Sequence, residues 1–85
     1  MKQETMTQIA QDLIKLCDIK TLKCLGCNEK EQWIYLLDDR LKVFKIHINN
    51  EKYTVHLGIG TSPILKTEVF NKISEVVDFI ITHLP

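Results

Sequence analysis

From residue 6 to residue 17 the apolar side chains Met6, Ile9, Ala10, Leu13, Leu16 and Cys17 recur every three or four positions, while Gln8, Gln11, Asp12 and Lys15 take the other side. That spacing is one turn of an α-helix, so it predicts an amphipathic helix over residues 5–17. Thr5-Met6-Thr7-Gln8 fits a capping box, with Thr5 at the N-cap and Gln8 at the third helical position.

From residue 33 to residue 59 the period drops to two. Phe44, Ile46 and Ile48 alternate with Lys45 and His47, and Tyr53, Val55 and Leu57 alternate with Thr54 and His56. Alternation of this kind predicts antiparallel strands with one core face and one polar face. Asn49-Asn50 separates two of the strands, and asparagine tolerates the positive φ of a tight turn. Asp38-Asp39 separates WIYLL from RLKVFKIHI. As a two-residue turn it pairs Trp33 with Phe44 on the core face. Ile34 then faces Val43, and Leu36 faces Leu41, on the opposite side. A further strand around TLKCL is a candidate.

Gly58 and Gly60 end the last of these strands. Ser62-Pro63 can cap and open a helix, since proline suits the first helical position, and Thr67 is the alternative start. Val69, Phe70, Ile73, Val76, Val77, Ile80, Ile81 and Leu84 then form an apolar face about 140° wide at about 100° per residue, and Pro85 ends it. The predicted fold class is α+β: a helix, a three- or four-stranded antiparallel sheet and a C-terminal helix, in a single domain over residues 1–85. No linker, repeat or low-complexity segment interrupts it.

Composition narrows the function classes. The 85 residues are 45% apolar and 26% charged, a globular balance. Eleven basic residues match eleven acidic ones, which argues against a polyanion partner and leaves little charge repulsion to oppose self-association. No apolar run nears the roughly 18 residues of a membrane span, and MKQETMTQIAQ lacks the apolar core of a signal peptide. Three cysteines cannot all pair, so free thiols in a reducing cytoplasm are expected.

The motifs that carry chemistry elsewhere are incomplete here. Cys24-x-x-Cys27 supplies two of the four ligands of a structural zinc site, and NEKEQ follows it rather than the helix of a thioredoxin-like unit. Leu25-Gly26 suggests that KCLGC turns the chain, without metal or redox chemistry. His47 and His56 fall on the polar faces of adjacent strands. With Asn49 to Lys52 as the connecting loop, His47 opposes Thr54 and His56 opposes Lys45. The imidazoles are then diagonal neighbours about 7–8 Å apart at the backbone, with no carboxylate to complete a metal site. Gly58-x-Gly60 lacks the rest of a dinucleotide or P-loop signature. No serine–histidine–acid set is apparent, so no enzyme activity and no cofactor are expected.

Apolar surface is the more informative feature. Ile34, Leu36, Leu41 and Val43 fall on the second sheet face, and Phe79 lies off the apolar arc of the last helix. These five residues form the candidate interaction surface, either for another protein or for a second copy in a homodimer.

The run IAQDLIKLCDI, followed by YLLDDRLKVFKIHINNEKYTVHLGIGTSP and an apolar helix, resembles class I type III secretion chaperones over roughly residues 8–84. The resemblance implies a small cytoplasmic dimer that binds the extended N-terminal segment of an effector through apolar patches. The chain is neutral where those chaperones tend to be acidic. It also stops short of the strand pair and last helix they carry beyond the second helix. The order of elements also looks like a double-stranded RNA-binding domain, but only Lys66 and Lys72 stand where that family needs a lysine cluster, so nucleic acid is not the expected partner. A small inhibitor or immunity protein that blocks an enzyme is the alternative function.

Overall fold

The computed structural model describes residues 5–60 and 64–84. Helix α1 is Met6–Cys17, capped by the Thr5 side chain, which accepts from the Gln8 N–H at 3.1 Å. Five strands follow: β1 Lys23–Asn28, β2 Trp33–Leu37, β3 Lys42–Asn49, β4 Lys52–Ile59 and β5 Lys66–Phe70; helix α2 is Ile73–His83. The strands form one antiparallel sheet in chain order. The fold is α+β as the sequence predicts, with five strands rather than three or four.

Both helices pack on one sheet face. Met6, Ile9, Ala10, Leu13 and Cys17 of α1 and Val76, Val77, Phe79 and Ile80 of α2 join Ile34, Leu36, Phe44, Ile46, Val55 and Leu57 in one core. The predicted core face of β3 and β4 is therefore the observed one. Leu16, by contrast, is exposed, so the buried stripe of α1 is narrower than the apolar pattern.

Two helix ends are set by local chemistry. At the start of α1 the Glu29 carboxylate, from the β1–β2 connection, accepts from the N–H groups of Met6 at 2.9 Å and Thr7 at 3.2 Å. These donors have no partner inside the helix, and negative charge is favourable there. At its end Asp18 turns the chain with φ 52°.

Three expectations are corrected. KCLGC does not turn the chain: it lies within β1, with a bulge between Cys24 and Gly26. The last helix starts at Ile73 rather than Thr67, because Lys66–Phe70 pairs with β4 instead. Ser62-Pro63, the first of the two predicted starts, lies outside the described residues, and so does Pro85.

The third correction is the β2–β3 register. Trp33 pairs with His47, Ile34 with Ile46, Leu36 with Phe44 and Leu37 with Val43. The turn is wider than two residues. Asp38 donates its N–H to the Lys42 carbonyl, and its carboxylate accepts from the N–H groups of Arg40 at 3.1 Å and Lys42 at 2.7 Å. Leu41 takes φ 66°, the left-handed residue that closes a three-residue hairpin loop. The predicted pairing is thus displaced by an odd number of positions, which exchanges the faces of β2.

Candidate functional site: the open sheet face

Among the described residues no element covers the sheet face opposite the helices. Alternation along each strand decides which side chains stand on it. On β2 these are Trp33, Tyr35 and Leu37, on β3 Val43, Lys45 and His47, and on β4 Thr54, His56 and Gly58, all half-buried by their neighbours alone.

The centre of the face is aromatic and cationic. Trp33 and Tyr35 lie with ring centroids 4.3 Å apart. Directly opposite Tyr35 on β3, Lys45 holds its ammonium 5.6 Å from the Tyr35 ring and 5.7 Å from the Trp33 ring. An ammonium over two rings is held by their negative faces while its outer side stays free for a ligand. The Trp33 indole N–H donates to Glu31 at 3.2 Å, which fixes the ring at the rim.

The histidines flank this centre. His47 opposes Thr54 and His56 opposes Lys45, so the two imidazoles are diagonal neighbours as the sequence predicts. His56 Nδ1 lies 2.8 Å from the Thr67 hydroxyl on β5, a cross-strand tie that fixes the ring's direction. Among the described residues no group of three or more His, Cys, Asp or Glu side chains is placed to hold a metal ion.

One end of the face is apolar. Leu37 and Val43 are cross-strand partners. A depression of about 400 Å³ runs between Leu25, Tyr35, Val43, His56 and Ile64. Leu25 and Leu37 also line a second hollow with Leu41. Leu25, Leu41 and Ile64 are 59%, 57% and 57% exposed, a large fraction for leucine and isoleucine.

The five candidate interaction residues are therefore split. Leu41 and Val43 belong to the apolar end of the open face. Ile34 and Leu36 are fully buried on the other face, because the wider turn reverses β2. Phe79 is buried too. It meets Phe44 edge-on at 6.3 Å and Phe70 at 5.4 Å, since β5 lies beneath the flank of α2 that the sequence leaves bare. The greasy second face exists, with Leu25, Leu37 and Ile64 in place of Ile34 and Leu36.

Trp33, Tyr35 and Lys45, at the centre of the open face, are the candidate residues that the sequence does not single out. The alternation of WIYLL offers two faces equally well, and only the turn length chooses between them. Among the described residues no helix is long and apolar enough to cross a membrane. Comparison with protein-family models, with curated proteins and with solved structures finds no match.

Proposed function

We propose that this chain is a non-enzymatic binding module whose open sheet face receives an extended segment of another protein, in the manner of a small cytoplasmic secretion chaperone. The carrying observation is the uncovered face itself. It joins an apolar end at Leu25, Leu37, Leu41, Val43 and Ile64 to the Trp33–Tyr35–Lys45 centre. An extended segment suits this shape, because its side chains alternate and can drop into successive shallow hollows. The apolar hollow calls for one or two aliphatic or aromatic anchors. Lys45, with His47 and His56 beside it and the Glu31 carboxylate tied to Trp33 at the rim of the same hollow, calls for a carboxylate a few residues along the same segment.

Leu41 supports the same reading. At φ 66° it closes the hairpin loop and leaves its side chain 57% exposed at the apolar end of the face. A second copy of the chain is the competing occupant of the face, and a folded enzyme, as in an inhibitor or immunity protein, is the other.

The test places a photo-crosslinking residue at position 43 in the native host and identifies what it joins. Cross-links to a stretch of an unfolded or secreted partner support the proposal, as does their loss on Tyr35→Ala with the fold unchanged. Cross-links only to a second copy, with a dimer by light scattering that dissociates on Val43→Asp, would replace it with a homodimer interface. Cross-links scattered over the surface of a folded enzyme would favour the inhibitor.

A further inference from the structure

A regular strand sends residues i and i+3 to opposite faces, so Cys24 and Cys27 should point apart. In β1 they do not. Cys24 pairs with Leu36 and Gly26 with Tyr35, so Leu25 is an extra residue opposite no partner. That bulge reverses the alternation once, and both cysteines come to the face of Leu36 and Ile34. Their sulfurs stand 3.6 Å apart, in van der Waals contact, and both are free thiols. β1 is an edge strand, and Cys24 is exposed on it.

We infer that Cys24 and Cys27 form a redox-active dithiol, a modification site that low-molecular-weight disulfides convert reversibly to an intramolecular disulfide across the bulge. Cys24 is the point of entry, being the exposed member. Its sulfur loses a proton to water and attacks one sulfur of the small disulfide. The S–S bond of the reagent breaks, and one small thiolate leaves and takes up a proton. Cys27 then loses its proton and attacks the Cys24 sulfur of the mixed disulfide, expelling the second small thiol. Two protein thiols have lost two electrons and two protons, and one small disulfide has become two thiols.

The environment sets the order of events. Burial pushes the Cys27 thiol up to about 11, and the neighbouring Cys24 adds to this. A Thr7 hydrogen bond opposes the rise, and the Glu29 charge adds to it. A thiol held protonated is a poor first nucleophile but an adequate second one, because the Cys24 sulfur is already in contact with it. The third cysteine, Cys17, is buried in the core and takes no part.

The test incubates the purified chain in glutathione buffers of increasing oxidised fraction, quenches with acid and maps the tryptic peptides. Cleavage after Lys23 and Lys30 isolates Cys24 and Cys27 together and leaves Cys17 on another peptide. The expected product is peptide 24–30 lighter by two hydrogens, without glutathione, and restored by excess reductant. The Cys27→Ser variant should instead stop at a glutathione adduct on Cys24. Cys24→Ser should react about tenfold more slowly or less. The folded chain should close the disulfide at an oxidised fraction at least about tenfold lower than the urea-unfolded chain, since the bulge fixes the sulfurs in contact. Two stable adducts on the peptide would overturn the proposal. So would free thiols at the most oxidising ratio, or equal closure in folded and unfolded chains.

Discussion

At Leu41 the backbone sits at φ 66° with a β-carbon in place, where the left-handed region costs an L-residue about 1–2 kcal/mol. Glycine removes that cost but gives back about 0.5–1 kcal/mol through its freer unfolded chain. Leu41→Gly should therefore stabilise the protein by roughly 0.5–1 kcal/mol, a few degrees in melting temperature for a domain of this size. On the proposed reading of the open face, the same change should weaken partner binding, because it deletes apolar surface there. Urea titration and a binding assay on one variant separate the two effects, and a less stable Leu41→Gly would show that the leucine packs usefully in the fold.

A second residue gives a pH dependence. Burial pushes the Cys17 thiol up to about 11 from its usual 9. The folded state thus keeps a proton that the unfolded chain releases, and stability falls as pH rises from 9 towards 11. For a shift of this size the loss is about 2 kcal/mol at the alkaline end. Cys17→Ala should remove this contribution and leave the similar one from Cys27, so the difference between the two urea midpoints at each pH isolates Cys17. Asp38 shows where residue-level reading stops. Two adjacent aspartates announce a turn, but not that the first carboxylate will fold inwards and accept two N–H groups of the loop. Turn length, and with it the side of the sheet on which Trp33 stands, hangs on that choice.

At the scale of elements, α1, β3 and β4 were legible because one period dominates each of them. β5 was not. Its five residues merge in sequence with the apolar spacing of α2, so Val69 and Phe70 extend a helical stripe on paper. The break at Asn71-Lys72 was the available signal: Lys72 is the N-cap, and the Glu75 side chain accepts from the Asn71 N–H at 3.2 Å. Phe79 follows from that error. With β5 in place it is a core residue, 7% exposed and touching Phe44 and Phe70. Phe79→Ala should cost about 3–5 kcal/mol in urea unfolding, the range for a deleted core aromatic. A cost below about 1 kcal/mol would mean that the flank of α2 is not packed against β5. A charged residue at position 79 tests folding before it tests any interface.

For the molecule as a whole, two helices on one face of the sheet leave the other face uncovered among the described residues. The sequence foretold an α+β fold with a partly apolar second face. The composition of that face depended on a register no periodicity could supply. Leu41 and Val43 keep their predicted face because the alternation of β3 does not depend on the turn length. Trp33 and Tyr35 do depend on it.

The chain-order sheet has a kinetic consequence. Each strand pairs with the next in sequence, so every pairing closes a short loop and little chain entropy is lost before contacts repay it. The β3–β4 hairpin is the natural nucleus: Asn50 and Glu51 both take positive φ, at 49° and 65°, the turn whose twist matches the strands it joins. The contact between α1 and α2 brings together opposite ends of the sequence and has to wait for the sheet. Destabilising substitutions at Ile46 or Val55 should chiefly slow folding, while Leu13→Ala should chiefly speed unfolding. Stopped-flow chevrons on the three variants decide it, and a Leu13→Ala that slows folding as strongly as the hairpin variants would place helix docking in the rate-limiting step.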